Sequence, residues 1–177
     1  MIIRSARPED AAAIAAVHVR TWQHTYRGHM PDAFLDVLTP EGRLPFWNRM
    51  LAGMVSPWAT FVAEHGTGIV GFCSVGPSRE PDMPGVGNPG PSEPGEVYSI
   101  YVLPEQQGKG AGRMLLDVAC ATLCECCFSD AILWVLAGNA PAIAFYERMG
   151  WQADGATRSE EIGGVTIEEV RYRRSLS

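Results

Sequence analysis

The N-terminal third of the chain has the pattern of several short helices. Pro8-Glu9-Asp10 supplies the proline and the acids typical of a first helical turn, and the helix is expected to continue over Ala11 to His24. Pro31-Asp32 and Thr39-Pro40-Glu41 each predict a further helix start. We therefore expect a short strand at Ile2-Ile3 followed by a mostly helical segment.

Segments rich in branched and aromatic residues predict strands in the rest of the chain. The segments 60–63 and 69–75 flank a polar, Gly-containing stretch, which predicts a β-hairpin. The pattern then alternates strand, helix, strand and helix, at about 96–103, 110–127, 131–137 and 140–149. Two more strands are predicted near 151–158 and 165–172. Because a helical crossover joins the two central strands, they should be parallel.

The length of 177 residues allows one domain with a sizeable core and is too short for two ordinary domains. The pattern therefore predicts a single α/β domain over 1–177, with a mixed central β-sheet flanked by helices. The segment at about 77–95 is rich in proline and glycine. Loops longer than about 12–15 residues tend to be lids or disordered inserts. We expect this one to be disordered, with folding over a bound substrate as the alternative.

Charge and hydropathy limit the classes of binding partner that the sequence favours. The chain has 14 basic and 20 acidic residues, a formal net charge of −6, and Lys109 is its only lysine. This balance disfavours nucleic-acid binding, which requires basic clusters, and mildly favours cationic partners. Met1 to Arg7 lacks the apolar stretch of a signal peptide, and no later run is long enough to span a bilayer. We expect a cytoplasmic protein with neither nucleic-acid nor membrane partners.

Four of the five cysteines crowd the helix predicted at 110–127, where Cys120, Cys124 and Cys127 repeat at helical spacing. Free cysteine packs as a small buried hydrophobe. A zinc site would need ligand spacings and partner histidines that the sequence lacks. We therefore expect core cysteines and no metal.

A glycine-rich segment, Gln107-Gly108-Lys109-Gly110-Ala111-Gly112, follows a strand-like run and opens the long helix. Small residues at a helix start expose backbone N–H groups and the positive end of the helix dipole, which is typical of a pyrophosphate site. A Walker loop fails at Leu103 and Gly110, where it requires a glycine and a hydroxyl. A dinucleotide fingerprint requires glycine in place of Arg113 or Leu115. The two commoner nucleotide loops are thereby excluded.

The spacing Gln/Arg-x-x-Gly-x-Gly/Ala, met by Gln107, Gly110 and Gly112, resembles the acetyl-CoA loop of the GNAT-type N-acetyltransferases. The segment from Trp134 to Trp151 resembles the second motif of that family. It has a strand, an asparagine at a helix start, a Phe-Tyr-Glu-Arg run, and then glycine and an aromatic residue. The resemblance spans essentially the whole chain. It implies the GNAT (acyl-CoA N-acyltransferase) fold, with acetyl-CoA as co-substrate.

The resemblance also implies how acetyl-CoA is held. Backbone N–H groups of the glycine-rich segment would bind the pyrophosphate, and the main chain of the preceding strand would run beside the pantetheine. The expected cofactor-binding residues are Ile100, Tyr101, Val102, Gln107, Gly108, Lys109, Gly110, Ala111, Gly112, Arg113 and Asn139. Asn139 has two interpretations, a helix N-cap and a hydrogen bond to the pantetheine arm, and both can hold at once.

Two catalytic residues are expected. The resemblance implies that Tyr146 directs its hydroxyl at the thioester sulfur, and the alternative is a core aromatic beside Phe145. Since a tyrosine in water has a pKa of about 10 and a thiol about 8.5, Tyr146 would act as a hydrogen-bond donor to the departing sulfur. An alkyl ammonium also needs a base. The candidate is Glu96, expected on one strand face with Tyr98 and Ile100. It would act directly or through water, and the alternative is an exposed carboxylate.

Aromatic residues on the first helix are the candidates for acceptor binding. Trp22 and Tyr26 share a helix face at i, i+4, and an aromatic face can hold an organic cation. Core packing is the alternative. Ribosomal-protein alanine acetyltransferases, which are similar in both motifs, have a catalytic glutamate at the position of Trp134. This difference argues against protein N-termini as the acceptor and leaves polyamines, amino acids and amine antibiotics open.

The sequence thus predicts an N-acetyltransferase that moves an acetyl group from acetyl-CoA to a primary amine of a small molecule by direct attack. The alternatives are a protein amine as the acceptor, or a non-catalytic acyl-CoA-binding module. By analogy with similar proteins, a homodimer through the C-terminal strand is expected.

Overall fold

The computed structural model describes residues 1–66, 68–79 and 94–176. Its strands are β1 Ile2–Ser5, β2 Ala59–His65, β3 Gly68–Pro77, β4 Gly95–Val102, β5 Asp130–Leu136, β6 Gln152–Ile162 and β7 Val165–Ser175. Its α-helices are α1 Ala11–Thr25, α2 Asp32–Asp36, α3 Pro40–Ala52, α4 Ala111–Glu125 and α5 Ala140–Arg148. Most of the Pro/Gly-rich loop predicted at about 77–95 lies outside the described residues.

Local sequence signals account for where the helices begin. The Thr39 hydroxyl accepts a hydrogen bond from the N–H of Gly42 at 3.1 Å, and Pro40 occupies the first position of α3. The Asn139 side chain caps α5 in the same way. Each cap satisfies one of the N–H groups that a helix start leaves without an intrahelical partner.

The strands form one mixed sheet in the order β1-β2-β3-β4-β5-β7-β6. The central strands β4 and β5 are parallel, as predicted, and the other neighbouring pairs are antiparallel. The pairing of β4 with β5 extends only from Gly95–Ala131 to Val97–Leu133, although the two strands continue to Val102 and Leu136. The strands therefore separate beyond Val97 and open a cleft at the centre of the sheet.

A β-bulge changes the direction of side chains on β4. Ser74 pairs with Ser99 but Val75 pairs with Val97, so β4 has one residue more than β3 at this point. Val97 and Ile100, three positions apart, consequently pack in the same core cluster. The prediction that Glu96 shares a face with Ile100 is wrong, because the bulge interrupts the two-residue alternation on which it depended.

Helices cover both faces of the sheet. The largest core cluster packs α4 and α5 against one face and includes Val97, Leu115, Leu116, Leu133 and Trp151. The second packs α1 and α3 against the other face and includes Ile14, Trp47, Val62 and Phe72. A third, smaller cluster joins α2 to the β6–β7 hairpin and includes Met30, Leu35, Leu136 and Ile167. This third cluster lies at the end of the cleft between β4 and β5.

The expectation that the cysteines of α4 lie in the core needs correction. Cys120 is buried, but Cys124 and Cys127 are exposed. Cys124 lies within α4 on its exposed side, and Cys127 lies beyond the end of this helix at Glu125 with a φ of 69°. β7 pairs with β5 on one side and β6 on the other, and the homodimer through the C-terminal strand stays a prediction.

Two kinds of feature are absent from the described residues. None of the helices there has the length and apolar character needed to cross a membrane. In the same ranges, no three His, Cys, Asp or Glu side chains are grouped so that they could hold a metal ion.

Candidate active site

A cavity of about 860 Å³ occupies the cleft where β4 and β5 separate. Small-molecule sites typically have volumes of about 300–1,000 Å³. The cavity is also lined by the start of α4, by α5, by the end of α1 and by the β6–β7 hairpin. The predicted site residues that line it are Tyr26, Glu96, Ile100, Tyr101, Val102, Gln107, Gly108, Gly110, Gly112, Arg113, Asn139 and Tyr146.

Three predicted site residues do not line the cavity. Lys109 is exposed, and its Nζ lies 3.5 Å from Gln106 Oε1. Ala111 is buried, and its methyl group packs into the core below α4. Trp22 lies behind the cavity wall, where its Nε1 donates to the hydroxyl of Tyr101 at 2.9 Å. Trp22 therefore positions a residue of the wall and does not itself face the space inside.

The start of α4 has the geometry of an anion site. Gly108 and Gly110 have φ angles of 73° and 92°, conformations that favour glycine. The N–H groups of residues 108–113 donate to no acceptor in the part of the chain that the structure describes. The Gln107 side chain ties this segment to the end of β4, because its Nε2 donates to the carbonyl of Val102 at 3.1 Å. A row of free N–H groups at the positive end of a helix dipole attracts an anion.

Gly112 has a different role in the same segment. A Cβ at this position would lie 3.4 Å from Cζ of Phe145, so the small residue lets α4 approach α5 closely. Since α5 carries Tyr146, this contact sets the distance between the anion site and the Tyr146 side chain.

Asn139 and Tyr146 lie along α5 on the opposite wall. Asn139 Oδ1 accepts from the N–H of Ala142 at 3.2 Å, which confirms the N-cap interpretation. Tyr146 is only 8% exposed, and its ring lies 5.3 Å from that of Phe145. Its hydroxyl has no hydrogen-bond partner among the described residues. Burial above all, followed by the neighbouring Cys73 and Tyr101, raises the pKa of Tyr146, so its hydroxyl remains a proton donor at neutral pH.

Glu96 is buried, with 1% of its surface exposed, so the alternative of an exposed carboxylate is wrong. Its Oε2 accepts from the N–H of Arg79 at 2.8 Å. Its Oε1 accepts from Arg79 Nη2 at 2.6 Å and from Nε at 3.2 Å. The Arg79 guanidinium also lies over the ring of Tyr98, 4.3 Å from its centroid. A proton transfer to Glu96 therefore competes with the Arg79 ion pair at Oε1 and with the backbone hydrogen bond at Oε2.

The end of the cavity beside Tyr26 contains residues that the sequence did not suggest as site residues. Glu169 on β7 is buried, and its Oε2 accepts from Arg158 Nε at 2.6 Å. The Arg158 guanidinium lies 4.5 Å from the ring centroid of Trp134. Glu169, Arg158 and Trp134 all line the cavity beside Tyr26. The one signal in the sequence is that Glu169 follows the apolar Ile167 by two positions and so shares its inward strand face.

Tyr26 connects this end to the rest of the site. Its ring lies 4.9 Å from that of Trp22, which agrees with the predicted i, i+4 contact. Burial first, and then the neighbouring Tyr101 and Glu169, raise the pKa of Tyr26 above its usual range. Tyr26 thus presents a protonated phenol beside a buried carboxylate.

Comparison with known proteins agrees with this geometry. The model of the acetyltransferase (GNAT) family matches residues 16–151. The chain is 36% identical over 170 residues to YuaI, an uncharacterized N-acetyltransferase of Bacillus subtilis strain 168, in an alignment that covers 95% of this chain and 89% of YuaI.

Two solved structures show the same fold. The ribosomal-protein-alanine N-acetyltransferase of Brucella melitensis superposes with a TM-score of 0.72 at 24% identity and covers 99% of both chains. The acetyltransferase yncA of Salmonella typhimurium, solved with its cofactor acetyl-CoA, has a TM-score of 0.72 at 23% identity and covers 100% of this chain and 94% of its own. The family and the fold predicted from the sequence are confirmed: this chain belongs to the GNAT family of acetyltransferases.

Proposed function

We propose that this enzyme transfers the acetyl group of acetyl-CoA to a primary amine of a small molecule by direct attack. One observation carries the proposal. A single cavity extends from the free N–H groups at the start of α4, past the Tyr146 hydroxyl, to the carboxylate and aromatic rings at its other end. An anion site, a proton donor and an acceptor site thus lie along one continuous space.

The open edge of β4 supports the placement of the cofactor. Beyond Val97 this strand has no partner on the β5 side in the described register, yet it continues through Ile100, Tyr101 and Val102 to the start of the anion site. The pantetheine arm has amide groups that can pair with such an edge as another strand would. With the diphosphate held by the N–H groups of residues 108–113, the thioester would point down the cleft toward Tyr146.

The residues of the site fit the proton transfers that the reaction requires. The neutral amine nitrogen forms a bond to the acetyl carbon, the bond from that carbon to sulfur breaks, and the amine loses one proton as the thiol gains one. Tyr146 would donate its hydroxyl hydrogen bond to the departing sulfur. Glu96, through a water molecule because Arg79 engages its two oxygens, would take the proton from the amine.

Packing at the acceptor end supports a small molecule over a protein chain. Phe34 on α2 packs against the turn between β6 and β7, where a Cβ on Gly163 would lie 2.6 Å from the Phe34 ring. The third core cluster, of Met30, Leu35, Leu136 and Ile167, packs beside this turn, and Leu136 also lines the cavity. A peptide would need an open groove at this point, whereas a small amine needs only the space inside.

The test is thiol release from acetyl-CoA with a panel of small amines and short peptides, run beside Tyr146→Phe. We expect turnover with at least one small amine and a loss of about 100-fold or more in kcat for the variant, in the range typical of general acid catalysis. Tyr172→Phe is a matched control, because Tyr172 is a buried tyrosine outside the cavity that donates to Glu147 at 3.2 Å. Full activity of Tyr146→Phe would remove Tyr146 from this role, and turnover with peptides alone would overturn the choice of acceptor.

A further inference from the structure

Glu169 is a buried carboxylate that uses only half of its hydrogen-bonding capacity. The residue is 8% exposed, and Arg158 Nε engages Oε2. Oε1 has no hydrogen-bond or ion-pair partner within the described ranges, and the residue lines the cavity. Because no protein donor within these ranges engages Oε1, the oxygen remains available to a donor that a ligand brings into the cavity. Oε1 therefore favours a ligand that brings an N–H donor, preferably a cationic one.

The surroundings of Oε1 suit an organic cation. The ring of Tyr26 lies at the same end of the cavity, and an aromatic face attracts an ammonium group. Trp134 does not offer its face in the same way, since the Arg158 guanidinium already lies over it at 4.5 Å. The available partners for a cation are therefore the Glu169 carboxylate and the Tyr26 ring.

The nitrogen that binds Glu169 is not the nitrogen that attacks. A neighbouring carboxylate stabilises the protonated form of an amine, whereas attack on a thioester requires the neutral form. An acceptor held by Glu169 must therefore have a second nitrogen to react near Tyr146. The formal net charge of −6 also favours acceptors with more than one positive charge.

We propose, on the basis of the proposed function, that Glu169 binds a protonated, non-reacting nitrogen of the acceptor. The preferred acceptor is then a small diamine or polyamine. In this arrangement Tyr26 covers the bound ammonium. Arg158 acts as a positioning residue that fixes the Glu169 carboxylate through the 2.6 Å bond.

The experiment compares matched ligands and matched variants. Calorimetry on the protein saturated with coenzyme A measures binding of linear α,ω-diamines from propane-1,3-diamine to octane-1,8-diamine, and of the uncharged α,ω-diols of equal length. Glu169→Gln removes the charge and retains a carbonyl oxygen for Arg158. Glu168→Gln is the control, because Glu168 is the exposed neighbour on the same strand and accepts from Ser159 Oγ at 2.6 Å.

We expect at least one diamine to bind about tenfold or more tightly than its diol, as for a hydrogen bond to a charged group. This preference should persist in Glu168→Gln and disappear in Glu169→Gln, with diol binding unchanged. A preference that survives in Glu169→Gln, its absence from the unmodified protein, or an equal loss of both ligand types would overturn the proposal. If Glu169→Gln does not fold, the proposal is still overturned when the unmodified protein shows no preference for diamines.

The failure of this inference and that of the proposed function can be told apart. Calorimetry with coenzyme A requires no turnover, whereas the proposed function fails when acetyl-CoA releases no thiol with any amine. In the thiol-release assay, recognition by Glu169 predicts that Glu169→Gln raises the KM for diamines by a larger factor than it lowers their kcat. A loss of kcat with every amine would instead make Glu169 part of the chemistry and contradict its role in recognition.

Discussion

The substitution Gly110→Asp tests the anion site at the start of α4. Gly110 has a φ of 92°, and a Cβ there would meet no atom within 4 Å, so backbone strain and not space limits the substitution. That strain is about 1–2 kcal/mol for a residue with a side chain. Gly110→Asn has nearly the same shape without the charge, and Gly155→Asn places the same residue at a φ of 88° far from the cavity.

The charge of the aspartate should weaken acetyl-CoA binding beyond the effect of strain. Two unit charges about 4 Å apart repel by about 1 kcal/mol in water and about 4 kcal/mol at a protein surface. Because the anion site opens to solvent at the exposed Gly108 and Lys109, we take a value near the lower end, about 1–2 kcal/mol. This corresponds to about 5- to 30-fold weaker binding for Gly110→Asp than for Gly110→Asn.

The assay is calorimetry with acetyl-CoA on variants that retain a cooperative thermal transition. All three variants should lose a similar amount of stability, and Gly155→Asn should bind acetyl-CoA normally. Higher salt should reduce the difference in acetyl-CoA affinity between Gly110→Asp and Gly110→Asn, because salt screens exposed charges. Equal affinities of these two variants at low salt would refute the placement of the diphosphate beside Gly110.

Three further substitutions test other parts of the account. Glu96→Gln should lower kcat by about 100-fold or more with acetyl-CoA affinity unchanged, and an unchanged kcat in steady-state assays would exclude Glu96 as the base. Asn139→Ala should cost about 1 kcal/mol in urea unfolding through loss of the α5 cap, and unchanged stability would contradict that contact. Burial, helped by Arg43, lowers the pKa of His18 to about 3. An unfolded histidine has a pKa of about 6.5, so below that pH the unfolded chain binds a proton that the folded protein does not. The free energy of unfolding therefore falls by about 1.4 kcal/mol per pH unit between about 6.5 and 3, and His18 has no such effect above pH 6.5. Urea unfolding of His18→Asn should show a weaker acid dependence, and an unchanged slope would contradict this assignment.

Local signals made much of the fold predictable from the sequence. Thr39-Pro40 and Asn139 start helices through contacts with residues three positions away. The parallel pairing of β4 and β5 follows from the helical crossover between them. The glycine-rich segment was recognisable because positive φ angles at Gly108 and Gly110 select glycine itself.

The errors concern features that depend on pairing between distant segments. The direction of Glu96 depends on a bulge that arises where β4 pairs with β3, and nothing within β4 itself reveals it. Glu169 becomes part of the site only because β7 lies between β5 and β6, with Leu136 and Arg158 as its register partners. Trp22 was expected inside the cavity because helical spacing shows that it shares a helix face with Tyr26. The spacing does not show how deeply that face is buried, and Trp22 lies behind Tyr101.

The most direct test of the central claim is a crystal structure with acetyl-CoA bound. We expect diphosphate oxygens within hydrogen-bonding distance of the backbone nitrogens of residues 108–113, the pantetheine along the open edge of β4, and the Tyr146 hydroxyl next to the sulfur. A cofactor bound elsewhere, or bound in this cleft with its sulfur directed away from Tyr146, would contradict the account.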